Sequence, residues 1–309
     1  MEYVLETVNL SKRYKKHWAL KDVNMHVAKG DIYGFVGENG SGKTTVIRLI
    51  TGLISPTEGG VVLFGKPDTD ETVFEARKQV GAIVESPSIY MNMSAKDNLK
   101  MQCDLLGIRE NADEKIASVL ADVGLAELLN EKKTVSNYSL GMRQRLGIAM
   151  ALLGEPQLLL LDEPMNGLDP AGIVEIRELI LKLNREKGIT FIISSHILTE
   201  LALVATKYGI ISKGKLVKEI SAEELKQECR PTVYINTPTP QKLCVLLSTL
   251  VPHDDFFPTA RGARVLGNVH LNSLLEKIID AGIEMESVNC HEANIEDYYL
   301  SLIGGVRHA

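Results

Sequence analysis

Residues 37–44 read Gly-Glu-Asn-Gly-Ser-Gly-Lys-Thr and fit the phosphate-binding template G-x-x-x-x-G-K-[ST] at every fixed position. The flanks agree with it: residues 31–36 have the length and composition of a buried strand, and residues 44–53 carry helical periodicity. A strand, a glycine-rich turn and a helix in that order aim backbone N–H groups and the positive end of a helix at one place. The phosphate chain of a nucleoside triphosphate satisfies such a place. Gly37, Glu38, Asn39, Gly40, Ser41, Gly42, Lys43, Thr44 and Thr45 are therefore candidate nucleotide contacts. Lys43 supplies a point charge for the β- and γ-phosphates, and the Thr44 hydroxyl can join a Mg²⁺ shell.

Two acids complete the chemistry that this loop calls for. Residues 158–163 read Leu-Leu-Leu-Leu-Asp-Glu, a run too apolar for anything but an interior strand, so Asp162 and Glu163 emerge at its C-terminal end. Ligands of α/β sheets bind at such ends. Asp162 is suited to hold Mg²⁺, and Glu163 to accept a proton from an attacking water or to orient it.

The 309 residues, 45% hydrophobic, suffice for about two domains. Up to about residue 220, strand-like runs at 80–84, 158–162, 190–193 and 209–212 alternate with amphipathic segments, which predicts an α/β layered domain with a largely parallel sheet. Residues 4–9 and 23–27 alternate apolar with polar and predict half-exposed antiparallel strands. Residues 86–153 read as a helical insertion whose first helix opens at Ser94 with Asp97 three positions on. From residue 221 to 309 we expect a linker and an accessory α+β domain. It has a strand at 232–236, a helix opening at Thr239-Pro240 with Leu243, Leu246, Leu247 and Leu250 on one face, and further stripes at 271–279 and 295–303.

Thirty-four basic against forty acidic side chains give a net charge of −6, which argues against a nucleic-acid partner. No stretch approaches the roughly 18 apolar residues that a membrane span requires. Residues 1–10 carry two glutamates and no apolar core of a signal peptide. Cys103, Cys229, Cys244 and Cys290 show no metal-binding spacing. The expected location is the cytoplasm, with any membrane role exerted through a partner.

Residues 138–145, Tyr-Ser-Leu-Gly-Met-Arg-Gln-Arg, follow the insertion, and Asn166-Gly-Leu-Asp169 and His196 follow the acids. With the phosphate loop and the Asp-Glu pair, these five elements in order resemble the nucleotide-binding subunit of ATP-binding-cassette (ABC) transporters over about residues 4–219. The resemblance implies a P-loop NTPase core and a head-to-tail homodimer that holds two ATP molecules in its interface. Ser139 and Gly141 of one copy would face the γ-phosphate of ATP bound by the other, and Ser139 is itself a good helix N-cap. By the same analogy His196 would contact the γ-phosphate beside Glu163. Tyr14 would stack on adenine, the alternative being a ring packed on a strand edge. Asp169 would bridge to the opposite subunit, the alternative being an N-cap for the helix after Pro170.

Where the family has L-S-G-G-Q, this chain has Y-S-L-G-M, keeping Ser139 and Gly141. Where the family has a glutamine that touches Mg²⁺ or the attacking water, it has Glu85. A carboxylate there cannot donate a hydrogen bond when ionised, and either tunes coupling or is a neutral variant. Residues 85–99 together with 138–142 resemble the bacitracin-resistance and lantibiotic-immunity branch of bacterial exporters. The implied protein is an ATPase subunit on the inner face of the cell membrane, driving a separate transmembrane permease that expels a peptide antibiotic. The alternatives are an ABC exporter of another substrate class and a soluble, non-transport ABC ATPase.

Overall fold

Strands whose every residue is buried decide the architecture, because in a parallel sheet helices cover both faces. Among the described residues three such strands occur: β4 (Ile32–Val36), β8 (Leu158–Asp162) and β9 (Thr190–Ser195). The computed structural model describes residues 2–229, 231–252, 255–267 and 270–291, with Tyr298, Tyr299 and Leu302. The chain divides into two units, Met1–Ala222 and Glu223–Ala309.

The first unit begins with β1 (Tyr3–Tyr14), β2 (His17–Val23) and β3 (His26–Ala28), followed by β4, α1 (Lys43–Ile50), β5 (Glu58–Leu63), β6 (Lys66–Pro67), α2 (Val73–Arg77) and β7 (Val80–Ile83). An all-helical stretch of α3 (Ala95–Leu105), α4 (Ala112–Asp122) and α5 (Leu140–Leu152) precedes β8. Then come α6 (Pro170–Lys187), β9, α7 (Leu198–Leu201), β10 (Lys207–Ser212) and β11 (Lys215–Ser221). Strands β1, β2, β3, β5 and β6 form an antiparallel sheet. The six-stranded sheet runs β11-β10-β4-β9-β8-β7, parallel except for the edge strand β11. One buried cluster joins Leu5, Leu10 and Leu20 of the antiparallel sheet to Val46 and Ile50 of α1 and to Leu158 and Leu160 of β8.

Local signals hold the helices in register. Ser94 caps α3 by accepting from the Asp97 N–H at 3.1 Å, and its own hydroxyl donates to the Asp97 carboxylate at 2.6 Å. Asp169 caps α6 through the Gly172 N–H at 2.9 Å, with Pro170 at the first helical position and Gly188 left-handed at the far end. Such a cap contributes about 1 kcal/mol. Helix α5 lies against the segment after β7 so closely that a Cβ on Gly147 would fall 2.5 Å from Pro87.

The second unit opens with α8 (Ala222–Glu228), which begins at the division, and continues through β12 (Thr232–Asn236), α9 (Pro240–Leu250), β13 (Phe256–Thr259), β14 (Gly262–Leu266), α10 (Leu271–Asp280) and β15 (Ser287–His291). Its antiparallel sheet has the order β13-β14-β12-β15, the split β-α-β arrangement. Leu243 and Leu247 of α9 and Leu274 and Ile278 of α10 pack with Val233, Ile235 and Val265 of the sheet. Pro240 starts α9, but the Thr239 hydroxyl does not cap it. Instead the Thr239 N–H donates to Thr237 Oγ1 at 3.1 Å. The stripe expected over residues 295–303 falls largely outside the described residues; Tyr298 and Tyr299 within it are helical, and Tyr298 donates to Glu228.

At the base of β4, fully buried Tyr33 donates to Glu219 Oε1 at 2.9 Å. The same carboxylate accepts from the His26 N–H at 3.0 Å and pairs with His26 Nδ1 at 2.9 Å and Lys207 Nζ at 3.5 Å. Burial first, and then the negative charge of Glu219, raise the Tyr33 phenol well above its ordinary value. Above about pH 10 the unfolded chain therefore loses a proton that the folded chain keeps, and this residue's contribution to stability falls as pH rises. Tyr33→Phe should cost about 1–2 kcal/mol near pH 8. Denaturant titrations at pH 8 and pH 11 should show the gap between the two proteins narrowing at the higher pH; a constant gap would contradict the assignment.

Candidate active site

The turn between β4 and α1 is shaped by close contacts. Gly42 sits at φ 113°, and a Cβ there would lie 2.5 Å from the Leu20 side chain. A Cβ on Gly37 would fall 2.4 Å from Ser41 Oγ and 2.5 Å from the Ile211 carbonyl. Helix α1 has no side-chain cap, so its first N–H groups open towards the turn. Ser41 Oγ is buried without a hydrogen-bond partner among the described residues. Lys43, 5% exposed, donates to the carbonyls of Gly37 at 2.6 Å and Glu38 at 3.2 Å. Glu38, Asn39 and Gly40 form the exposed tip of the turn, and Thr45 is half-buried on the first turn of α1.

Asp162 ends β8 only 1% exposed, a location where a carboxylate needs donors on both oxygens. Thr44 Oγ1 donates to its Oδ2 at 2.8 Å, and the Ser194 hydroxyl of β9 donates to its Oδ1. Glu163 follows in the left-handed region at φ 50°, uncommon for a residue other than glycine. That turn carries its carboxylate to Lys43 Nζ, 3.3 Å from Oε1, and to His196 Nδ1, 2.8 Å from Oε2. Lys43, Thr44, Asp162, Glu163 and His196, expected from separate stretches of sequence, thus form one connected cluster. It combines a buried cation, open helix amides, a metal-suited oxygen pair and a partly exposed carboxylate beside an imidazole.

Among the described residues, Tyr14, Glu85, Ser139 and Asp169 make no hydrogen bond or ion pair to that cluster. Tyr14 is 45% exposed at the end of the β1–β2 hairpin, with Lys12 Nζ 5.3 Å from its ring centroid. Ser139 caps α5 by accepting from the Met142 N–H at 3.2 Å. At Gly141 a Cβ would meet nothing closer than 3.9 Å, so packing within the protomer does not demand a glycine there. Glu85, at φ 63°, is exposed and ion-paired to Arg48 of α1 at 2.6 Å.

Two participants were not expected from sequence. Ser194 lies just past the run read as a strand and passed for a connector to His196. Its signal was a second apolar run that, like 158–161, ends in polar residues. Arg48 lies in the helical run 44–53 with no motif of its own to mark it.

A profile described as ABC transporter matches residues 20–166. The bacitracin transport ATP-binding protein BcrA of Bacillus licheniformis is 41% identical over 312 residues, covering 99% of each chain. The lantibiotic transport ATP-binding protein SrtF of Streptococcus pyogenes is 43% identical over 216 residues, covering 70% of this chain and 90% of its own. Among solved structures, the ATP-binding cassette MJ0796, a dimer in a post-hydrolysis state bound to ADP and Pi, superposes with a TM-score of 0.62 at 25% identity, covering 71% of this chain and 98% of its own. Likeness over the whole length, together with the clustering of loop, acids and histidine, shows that the chain belongs to the ATP-binding proteins of ABC transporters.

Proposed function

We propose that this protein hydrolyses ATP to drive a separate membrane permease that exports or expels a peptide antibiotic of the bacitracin or lantibiotic type. The observation that carries the reading is Glu163 held between Lys43 and His196, next to Asp162 and Thr44. Among the described residues no helix is long and apolar enough to cross a membrane, so the translocation path is assigned to a partner, with this chain on the inner face of the membrane. The antibiotic class follows from the likeness to BcrA and SrtF. Co-purification with a membrane protein and heightened bacitracin or lantibiotic sensitivity of a deletion strain test it; unchanged sensitivity would redirect the reading to another exported substrate.

The residues present fit ATP with Mg²⁺. The unpartnered Ser41 hydroxyl and the open amides of α1 suit phosphate oxygens. Thr44 and Asp162 would hold the ion. Hard oxygens in small number suit Mg²⁺, which keeps its waters and shares phosphate oxygens, and no group of three or more His, Cys, Asp or Glu able to hold a metal occurs among the described residues. When bound, the ion would offset charge on the phosphate oxygens. Lys43 holds the β- and γ-phosphates, Glu163 accepts a proton from the attacking water, and His196 holds Glu163 in place and contacts the γ-phosphate.

Two copies would bind head to tail, with Ser139 and Gly141 of each facing ATP on the other and Asp169 beside the opposite subunit. The absence of any internal demand for glycine at 141 supports a close approach from outside the protomer. The exposed Tyr14 ring is available to stack on adenine. For Glu85 the Arg48 pair favours a part in coupling over direct metal binding, because it ties the segment after β7 to the helix that begins at the phosphate loop.

Lys43→Ala should weaken ATP binding about 100-fold or more, measured by calorimetry, because it deletes the buried cation among the phosphates; unchanged affinity would remove the central claim. Glu163→Gln should keep ATP bound, slow turnover by about 100-fold or more and accumulate an ATP-bound dimer visible by light scattering. Normal turnover in that variant would assign the base elsewhere. Glu85→Gln should leave ATP affinity within about threefold, since an exposed ion pair contributes at most about 1 kcal/mol, while changing permease-stimulated hydrolysis or antibiotic protection. Parental values of both would make Glu85 a neutral variant.

A further inference from the structure

At 0% exposure in the interior of a parallel sheet, Ser194 occupies a place where an apolar side chain is the default. A buried hydroxyl is costly when its hydrogen bonds are unmade. Here they are made on both sides, and both go to the acids of the site. The Ser194 hydroxyl donates to Asp162 Oδ1 and accepts from the Glu163 N–H at 3.0 Å. The Ser194 carbonyl accepts from the same N–H at 3.2 Å. In the β8–β9 ladder Asp162 pairs with Ser194, so the sheet register itself delivers the hydroxyl to this point.

We propose that Ser194 is a positioning residue for ATP hydrolysis: its one hydroxyl sets the plane of the Asp162 carboxylate and the left-handed turn of Glu163 together. This rests on the ATPase reading above. Asp162 has one hydroxyl donor on each oxygen, Ser194 on Oδ1 and Thr44 on Oδ2. With both in place the carboxylate cannot rotate, and Oδ2 stays turned to Thr44, where the metal would be held. Glu163 stands at φ 50°, and an N–H shared between two acceptors of one residue secures that turn. The turn in turn aims the Glu163 carboxylate at Lys43 and His196. Without the hydroxyl, Oδ1 is buried with no donor, and the N–H keeps only the longer contact.

The test compares Ser194→Ala, Ser194→Thr and Ser194→Val in the full chain. Thr and Val have nearly the same volume and differ in whether a hydroxyl is present, which separates the hydrogen bonds from packing. Calorimetry with ADP, with and without MgCl₂, should show that Ala and Val lose about tenfold of the tightening that Mg²⁺ brings, while metal-free ADP affinity and a cooperative thermal transition remain. Their kcat should fall about tenfold or more with KM for ATP within about threefold. Thr should recover both towards the parent. Parental Mg²⁺ dependence and kcat in Ala and Val, or a Thr variant as impaired as Val, would overturn the role. A parent protein with no ATPase activity would instead remove the reading on which it rests.

Discussion

The carboxylate of Asp162 stands at the end of four buried leucines, 1% exposed, where water cannot solvate it. A charge in that position is tolerated only if neighbouring elements bring donors to both oxygens. Helix α1 brings Thr44 and strand β9 brings Ser194. The phosphate loop, the central strand and its neighbour are thereby locked to one another. The alternative, an unpaired buried carboxylate, costs several kcal/mol, comparable to much of the net stability of a domain. This polar demand of the interior and the clustering of the candidate site residues are met by the same contacts.

Two acids in left-handed backbone follow from how neighbouring strands end. Ile83 of β7 pairs with Leu161 of β8, the last pair of that ladder, and Glu85 and Glu163 each follow it by two residues. Both adopt positive φ, which costs of order 1–3 kcal/mol and persists only where surroundings enforce it. Their partners differ in consequence. Glu163 turns into the site, onto Lys43 and His196, whereas Glu85 turns onto Arg48 at an exposed position. Beyond Glu85, Pro87 packs against Gly147 of α5, the helix capped by Ser139. One short segment therefore touches both the helix after the phosphate loop and the helix that opens at Ser139, and close packing is the means by which a shift in one is felt in the other.

The C-terminal unit has its own logic. Its helices bury leucines and isoleucines at helical spacing against alternating strand residues, making a self-sufficient small core. Among the described residues it contributes no phosphate loop and no metal-suited cluster. BcrA of Bacillus licheniformis matches through this region as well, whereas SrtF matches over 70% of the chain.

The local chemistry was legible in the sequence. A glycine-rich loop ahead of a lysine has few uses, four leucines ahead of two acids must be an interior strand, and Ser94 and Asp169 announce helix starts by their spacing to the next donors. These signals are short-range, and short-range physics reads along the chain. Which hydroxyl answers Asp162, which cation answers Glu85 and which pair holds Glu163 were matters of register and strand order. They depend on residues 30 to 120 positions away: the apolar run before Ser194 marks the end of a strand but not which acid its hydroxyl meets, and nothing local distinguishes Arg48 from a solvated cation. The missing side-chain cap at Thr239 is a local matter by contrast, since the acceptor of its N–H, Thr237, stands only two positions earlier. The sequence by itself determined the elements and the inventory of chemical groups. Only the tertiary structure decided which groups meet, because a buried charge takes its partners from whatever strand and helix the sheet order lays beside it.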